Sequence, residues 1–248
     1  ELVRVGGFER DLLVVATPTG TGWVDPAAID TLEHLQRGDV ATVAAQYSYL
    51  NSPLALLTQG AYGVEMSRAL FAEVYRHWRS LPADARPRLF LHGLSLGALN
   101  SDLSFDLFDI IDQPFDGALW SGPPFRTETW RQVTAQRDPG SPAWRPSFRV
   151  GSVVRFMNQG PHPEPGNRDW GAFRMLFLQY ASDPITFFSF ESAWREPEWM
   201  RAPRGPDVSP DLRWFPVVTM LQLAADMAFG SAPPGFGHEF APADYIDA

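Results

Sequence analysis

The sequence predicts an α/β fold, an open sandwich whose mostly parallel sheet is flanked by helices. Three observations predict it. Short runs that are apolar throughout recur along the first half, as strands buried on both faces require. Stretches of ten or more residues with helical spacing separate them, the signature of βαβ units. The length of 248 residues, 45% of them hydrophobic, suits one domain with one core.

The elements follow in order. "DLLVVAT" (11–17) is a β-branched apolar strand, and the glycine-bearing loop "PTGTGW" follows it. Asp25 then caps a helix in "DPAAIDTLEHLQRG", with Pro26 at its first position and Gly38 past its end. "DVATVAAQYSY" (39–49) reads as the next strand. In "YGVEMSRALFAEVYRHWRSL" (62–81), Leu70, Val74 and Trp78 fall at helical spacing. "PRLFLHG" is the third strand, 96–111 the third helix and "FDGALWSG" (115–122) the fourth strand. From 122 to 169 the pattern breaks into a stretch rich in proline, tryptophan and arginine, with one strand candidate, "SVVRFMN". It is too long for a plain loop, so an inserted lid or cap is expected there. "FRMLFLQYASDP" (173–184) restores the strand signal, and a helix is expected near 214–229.

Composition removes much chemistry. There are no cysteines, which excludes disulfides, thiolate nucleophiles and cysteine-bound zinc. All 20 basic residues other than histidine are arginines. That removes the Walker A lysine, Schiff bases, pyridoxal phosphate and serine–lysine catalysis together. A net charge of −9 argues against general nucleic-acid binding. The longest apolar stretch, "FPVVTMLQLAADMAFG", holds Gln222 and Asp226 and falls short of a membrane span. With Glu1 first and no signal peptide, the chain reads as a soluble piece of something longer. Its histidines are scattered, and no metal constellation is expected; no cofactor is implied.

One motif carries chemistry. "GLSLG" (93–97) fits G-x-S-x-G, which a chain of this composition contains by chance roughly one time in ten. Its position directly after a strand and before a helix is what a nucleophile elbow needs, and the flanking glycines allow the tight turn. Ser95 would be the nucleophile; the competing explanation is an ordinary strand–helix turn of small residues. A serine hydroxyl needs a base, and the base an orienting acid. His34 and His77 lie in amphipathic helices, and His92 is too near in sequence to bend back. His162 in "GPHPEPG" is a second choice after His238 in "GFGHEF", which follows every strand on a glycine-flanked loop. For the acid, Asp183 ends a strand on the sheet edge that carries sites, although aspartate before proline is also common turn chemistry. Asp226 and Glu191 are weaker choices. The Leu96 N–H would serve as one oxyanion donor. The "TGTG" loop would supply the second, with Thr21 preferred and Gly20 and Gly22 letting the backbone turn.

With these residues in place, the chain resembles the catalytic domain of a bacterial, actinobacterial-type family of membrane-anchored α/β-hydrolases. The likeness runs through "TGTGWVDPAAID", "GDVATVAAQYSYL", "LHGLSLG", "GALWSGPPF", "QYASDPI", "WFPVVTMLQLAADMA" and "GHEFAPADYIDA". It implies the α/β-hydrolase fold over 1–248 as one catalytic domain, with a lid at about 122–169. It assigns nucleophile, acid and base to Ser95, Asp183 and His238. It also implies a parent protein anchored in a bacterial cell membrane, on a side the sequence leaves open.

The expected activity is a serine hydrolase cleaving carboxylic esters, with a small-molecule or lipid ester as partner. Thioesters, peptides or acyl transfer are alternatives on the same triad, and a non-catalytic binding module is the rival outside enzymes. Seven arginines against four acidic residues in 122–169 suggest an anionic ester such as a phospholipid. Pairing of those arginines with the acidic body of the protein competes with that idea. Phe125, Trp130, Trp144, Phe148 and Phe156 are candidates to line an acyl pocket.

Overall fold

The computed structural model describes residues 1–50, 60–160 and 170–248. His162 lies outside them. Among the described residues six strands form one all-parallel sheet. They are β1 (Leu12–Thr17), β2 (Val40–Ala44), β3 (Arg88–Leu94), β4 (Gly117–Ser121), β5 (Val154–Met157) and β6 (Arg174–Leu178), in the order β2-β1-β3-β4-β6-β5. The helices that matter below are α1 (Pro26–Leu35), α2 (Gly60–Ser80), α3 (Leu96–Asp102), α4 (Leu107–Ile110), α5 (Glu128–Ala135), α6 (Pro184–Phe187), α7 (Val218–Phe229) and α8 (Pro242–Asp247).

The central strands are apolar throughout because both faces are covered. Leu13, Val15, Leu89, Leu91 and Trp120 join the main core with Phe71, Val74 and Trp78 of α2. Leu12, Val14 and Ala16 face the other way, toward Leu32 of α1. The period of two along β1 thus serves two cores at once. As the sequence requires, Asp25 caps α1, its Oδ1 accepting the Ala27 N–H at 2.9 Å.

The chain runs outward from β1 to β2, then returns past β1 to β3, which pairs with β1 from Leu12↔Arg88 to Thr17↔Gly93. Strand order therefore reverses between β1 and β3. In open α/β sheets the crevice beyond the carboxyl ends at such a reversal is where sites form. The loop after β1 and the "GLSLG" turn after β3 both border it.

Several elements differ from expectation. The strand expected over 39–49 stops at Ala44. The third helix is two, because Asp106 caps a second start by accepting the Phe108 N–H at 2.8 Å. The helix expected from 214 begins at Val218, where the Thr219 hydroxyl instead accepts the Phe215 N–H. Asp183 does not end a strand: β6 stops at Leu178, and Asp183 caps α6. The strand expected in "SVVRFMN" is present as β5, at the sheet edge beside β6.

Candidate active site

Ser95 sits between β3 and α3 with φ 56° and ψ −125°, a conformation strained for a side chain with a Cβ. Such strain costs on the order of 1–3 kcal/mol and persists only where the surroundings enforce it. The two motif glycines show what enforces it. A Cβ on Gly93 would lie 2.5 Å from the Gly97 carbonyl, and one on Gly97 would lie 2.2 Å from the Thr17 carbonyl oxygen. The turn is thus pressed against the end of β1, and only glycine fits at either place. Ser95 donates its own N–H to the Ser121 carbonyl at 3.0 Å, which ties it to the end of β4.

Asp183 is fully buried and lies beside His238, whose Nδ1 is 2.7 Å from Asp183 Oδ2. A carboxylate only accepts, so Nδ1 donates and the neutral ring presents Nε2 as a lone pair. That Nε2 is buried and has no hydrogen-bond partner. Asp183 also accepts from the Ile185 N–H (2.8 Å), the Thr186 N–H (3.4 Å) and the Thr186 hydroxyl (3.0 Å). Burial disfavours protonation of His238, but the adjacent Asp183 charge and hydrogen bond outweigh it, so its pKa lies above the ordinary histidine value.

The structure therefore brings acid and base into contact. It places Ser95 across the end of β4 from them without a Ser95–His238 hydrogen bond. Ser121 holds Ser95, and the next residue, Gly122, carries the imidazole. At φ 50°, a Cβ on Gly122 would lie 2.4 Å from His238 Cε1.

Of the oxyanion candidates, Leu96 opens α3, where N–H groups lack intrahelical acceptors. In the loop after β1, Gly22 spends its N–H on the Thr19 carbonyl at 3.0 Å, so it is a turn residue and not a donor in this conformation. Thr21 is exposed, with its carbonyl held by Gln46 Nε2 at 3.0 Å; Gly20 is buried next to it.

The rejected candidates have evident structural roles. The His77 ring packs on Phe8, Glu191 pairs with Arg195, and Asp226 is exposed on α7. Among the described residues no three His, Asp or Glu side chains converge on a point that could hold a metal.

The residues that hold the site together were not evident from sequence. Ser182 Oγ accepts the Gly237 N–H at 2.8 Å, clamping the histidine loop to the acid loop, and Asp207 Oδ2 accepts the Ser182 N–H at 2.7 Å. Under the elbow, the Tyr245 hydroxyl donates to Asp25 Oδ2 (2.8 Å) and sits 3.0 Å from Ser121 Oγ, whose own proton completes that pair. The glycine ending "LWSG" was the one available signal, a small residue where a strand meets the site.

Two clefts lie nearby, one reaching His238 and the other Thr186, and neither is lined by Ser95. One of about 380 Å³ lies beside His238, walled by Trp23, Leu94, Pro234 and Phe240. A larger one of about 1080 Å³ runs along Phe125, Trp130, Thr186 and Phe187. Phe148 and Phe156, expected near an acyl pocket, instead pack into the main core, and Trp144 is buried in a second cluster with Phe187 and Trp199. Among the described arginines of 122–169, Arg137 pairs with Glu198 at 2.6 Å, Arg131 with Glu128 at 3.7 Å, and Arg155 stacks 4.3 Å from the Trp170 ring.

The chain is similar to several solved structures. Trichoderma reesei cutinase in complex with a phosphonate inhibitor is 14% identical, with 75% of this chain and 70% of that one covered at a TM-score of 0.41. An acetylxylan esterase is 12% identical over 71% and 84% of the two chains, with a TM-score of 0.38. An alpha-beta serine hydrolase homologue from Coxiella burnetii is 17% identical over 69% and 77%, with a TM-score of 0.35. No curated protein matches the chain. The model of the alpha/beta-hydrolase family matches residues 1–248. The all-parallel sheet is the core of the α/β-hydrolase fold, and the chain belongs to the alpha/beta-hydrolase family.

Proposed function

We propose that the chain is a serine hydrolase that cleaves carboxylic esters through an acyl-enzyme on Ser95. The observation that carries this reading is the Asp183–His238 hydrogen bond, which leaves Nε2 unpartnered beside the strand end that anchors the Ser95 turn. Apo catalytic hydrogen bonds are often long and tighten only with substrate, so the open Ser95–His238 pair fits the role.

His238 Nε2 takes the Ser95 proton as Oγ adds to the ester carbonyl carbon. The bond to the alcohol oxygen breaks, and the alcohol leaves with that proton. Water then adds to the acyl carbon and gives a proton to His238. The acid departs as Ser95 Oγ recovers its proton. Asp183 holds the ring and stabilises the imidazolium. The Leu96 N–H, with a donor from Gly20 or Thr21, stabilises the tetrahedral oxyanion.

Labelling with a fluorophosphonate probe tests the nucleophile. We expect a single adduct at Ser95, absent in Ser95→Ala, and ester hydrolysis that falls by at least about 10³-fold in that variant. An unlabelled chain with no esterase activity would mark the fold as a binding module. The same panel, extended to thioesters and peptides, separates the ester reading from its neighbours in acyl chemistry.

A further inference from the structure

On the sheet face covered by α1 and α8 lies a cavity of about 290 Å³ that is lined by none of Ser95, Asp183 and His238. Its wall is mostly apolar, with Leu12, Val14, Ala28, Leu32, Phe90 and Leu119 among the lining side chains, and Gln36 and the exposed Arg174 also line it. His92 of β3 lines it too, only 5% exposed. Its Nδ1 lies 3.0 Å from the Leu119 carbonyl, which can only accept, so the proton is on Nδ1. That leaves Nε2 as an acceptor, and it is buried with no hydrogen-bond partner. Burial also holds the His92 pKa below the ordinary histidine value, which keeps the ring neutral. The proposed ester chemistry makes no use of this group.

A buried, unpartnered acceptor in a mostly apolar wall specifies its complement. A charged group set beside His92 would lose its hydration among these apolar side chains, and a purely apolar ligand would leave Nε2 unsatisfied. We propose that this cavity is a second binding site, for a small uncharged amphiphile that donates one hydroxyl to His92 Nε2 and lays its apolar body against Leu12, Val14, Leu32 and Phe90. An apolar cavity of about 150 Å³ holds benzene, so this one has room for a ring carrying a short alkyl chain. The occupant would also touch Tyr245, whose hydroxyl bridges Asp25 and Ser121 beneath the elbow. The site does not depend on Ser95 being a nucleophile.

Calorimetric titration with 4-butylphenol and with 4-butylanisole, which has a similar body and no donor, tests the site. In the unmodified chain the phenol should bind at least about tenfold more tightly. His92→Phe should bring the two within about twofold of each other. Leu32→Trp, which fills the cavity and keeps the imidazole, should weaken both by more than about tenfold. It also stands as an independent test if His92→Phe does not fold. Saturation by neither compound would mean the cavity holds only water, and equal affinities would mean His92 is not a recognition group; either overturns the proposal. A phenol preference that survives Leu32→Trp would place the binding elsewhere, in the catalytic cleft, and would overturn it equally.

Discussion

His238 is where charge and burial meet the proposed catalysis. Its raised pKa has a definite sign in two measurements. A general base must be neutral, so kcat/KM should rise with pH through that pKa, with the midpoint of the acid limb above about 6.5. Asp183→Asn should move the midpoint downward and lower kcat by about 10⁴-fold. A pH–rate profile in both chains checks this; a native midpoint at or below the free histidine value would show that Asp183 does not control the base. Stability runs the other way. The histidine's contribution to folding is complete below its unfolded pKa, about 6.5, and is lost as pH rises through the folded value. Gly122 controls the ring by contact. Gly122→Ala adds a methyl 2.4 Å from Cε1 at a positive φ. Steady-state kinetics should show a kcat loss of about 10²-fold or more, since a displacement of 1 Å is enough for that.

Helix α8 illustrates how a short element can govern a site it does not enter. It buries Asp244 and Tyr245, the first accepting from the Tyr180 hydroxyl and the second bridging Asp25 to Ser121. Tyr245→Phe removes the bridge and strips the buried Asp25 of one partner. We expect a loss of about 1–3 kcal/mol, seen in a thermal scan as a fall of roughly 2–4 °C per kcal/mol. None of this could be read from "PADYID", where three acidic or phenolic side chains look like a solvated helix. What could be read was local. The strands announced themselves because burial on both faces makes them apolar throughout, and Asp25–Pro26 announced α1 because caps are set by adjacent residues. The elbow was readable for the same reason, being a five-residue steric requirement. The contact between Asp183 and His238 spans 55 positions, and chain order suggested it without fixing it. In 122–160 the strand legible in "SVVRFMN" is β5, four residues long at the sheet edge.

The surface divides by chemistry. Charge is carried wholly by arginine and carboxylate, with −9 in excess. No helix among the described residues is long and apolar enough to cross a membrane. Yet α7 shows water an apolar side: Val218, Leu221 and Phe229 are exposed, the last 90%, as are Phe215 and Val217 just before or at its start. Exposed patches of this kind mark interaction surfaces. Replacing Leu221 and Phe229 by serine should cut the fluorescence of an apolar-surface dye while leaving the melting temperature within about 2–4 °C; a collapse in melting temperature would mean these side chains support the core instead. Between Asp183 and His238 the chain runs 55 positions, and the Ser182–Gly237 hydrogen bond fastens that run at its neck. Asp183, Thr186 and Asp207 lie inside that neck and hold the pair, so only exposed stretches such as 209–213 can be lengthened or re-sculpted without unseating the proposed proton relay. Variation in what the proposed site accepts would be written there, and grafting those stretches from one homologue to another is the natural engineering route.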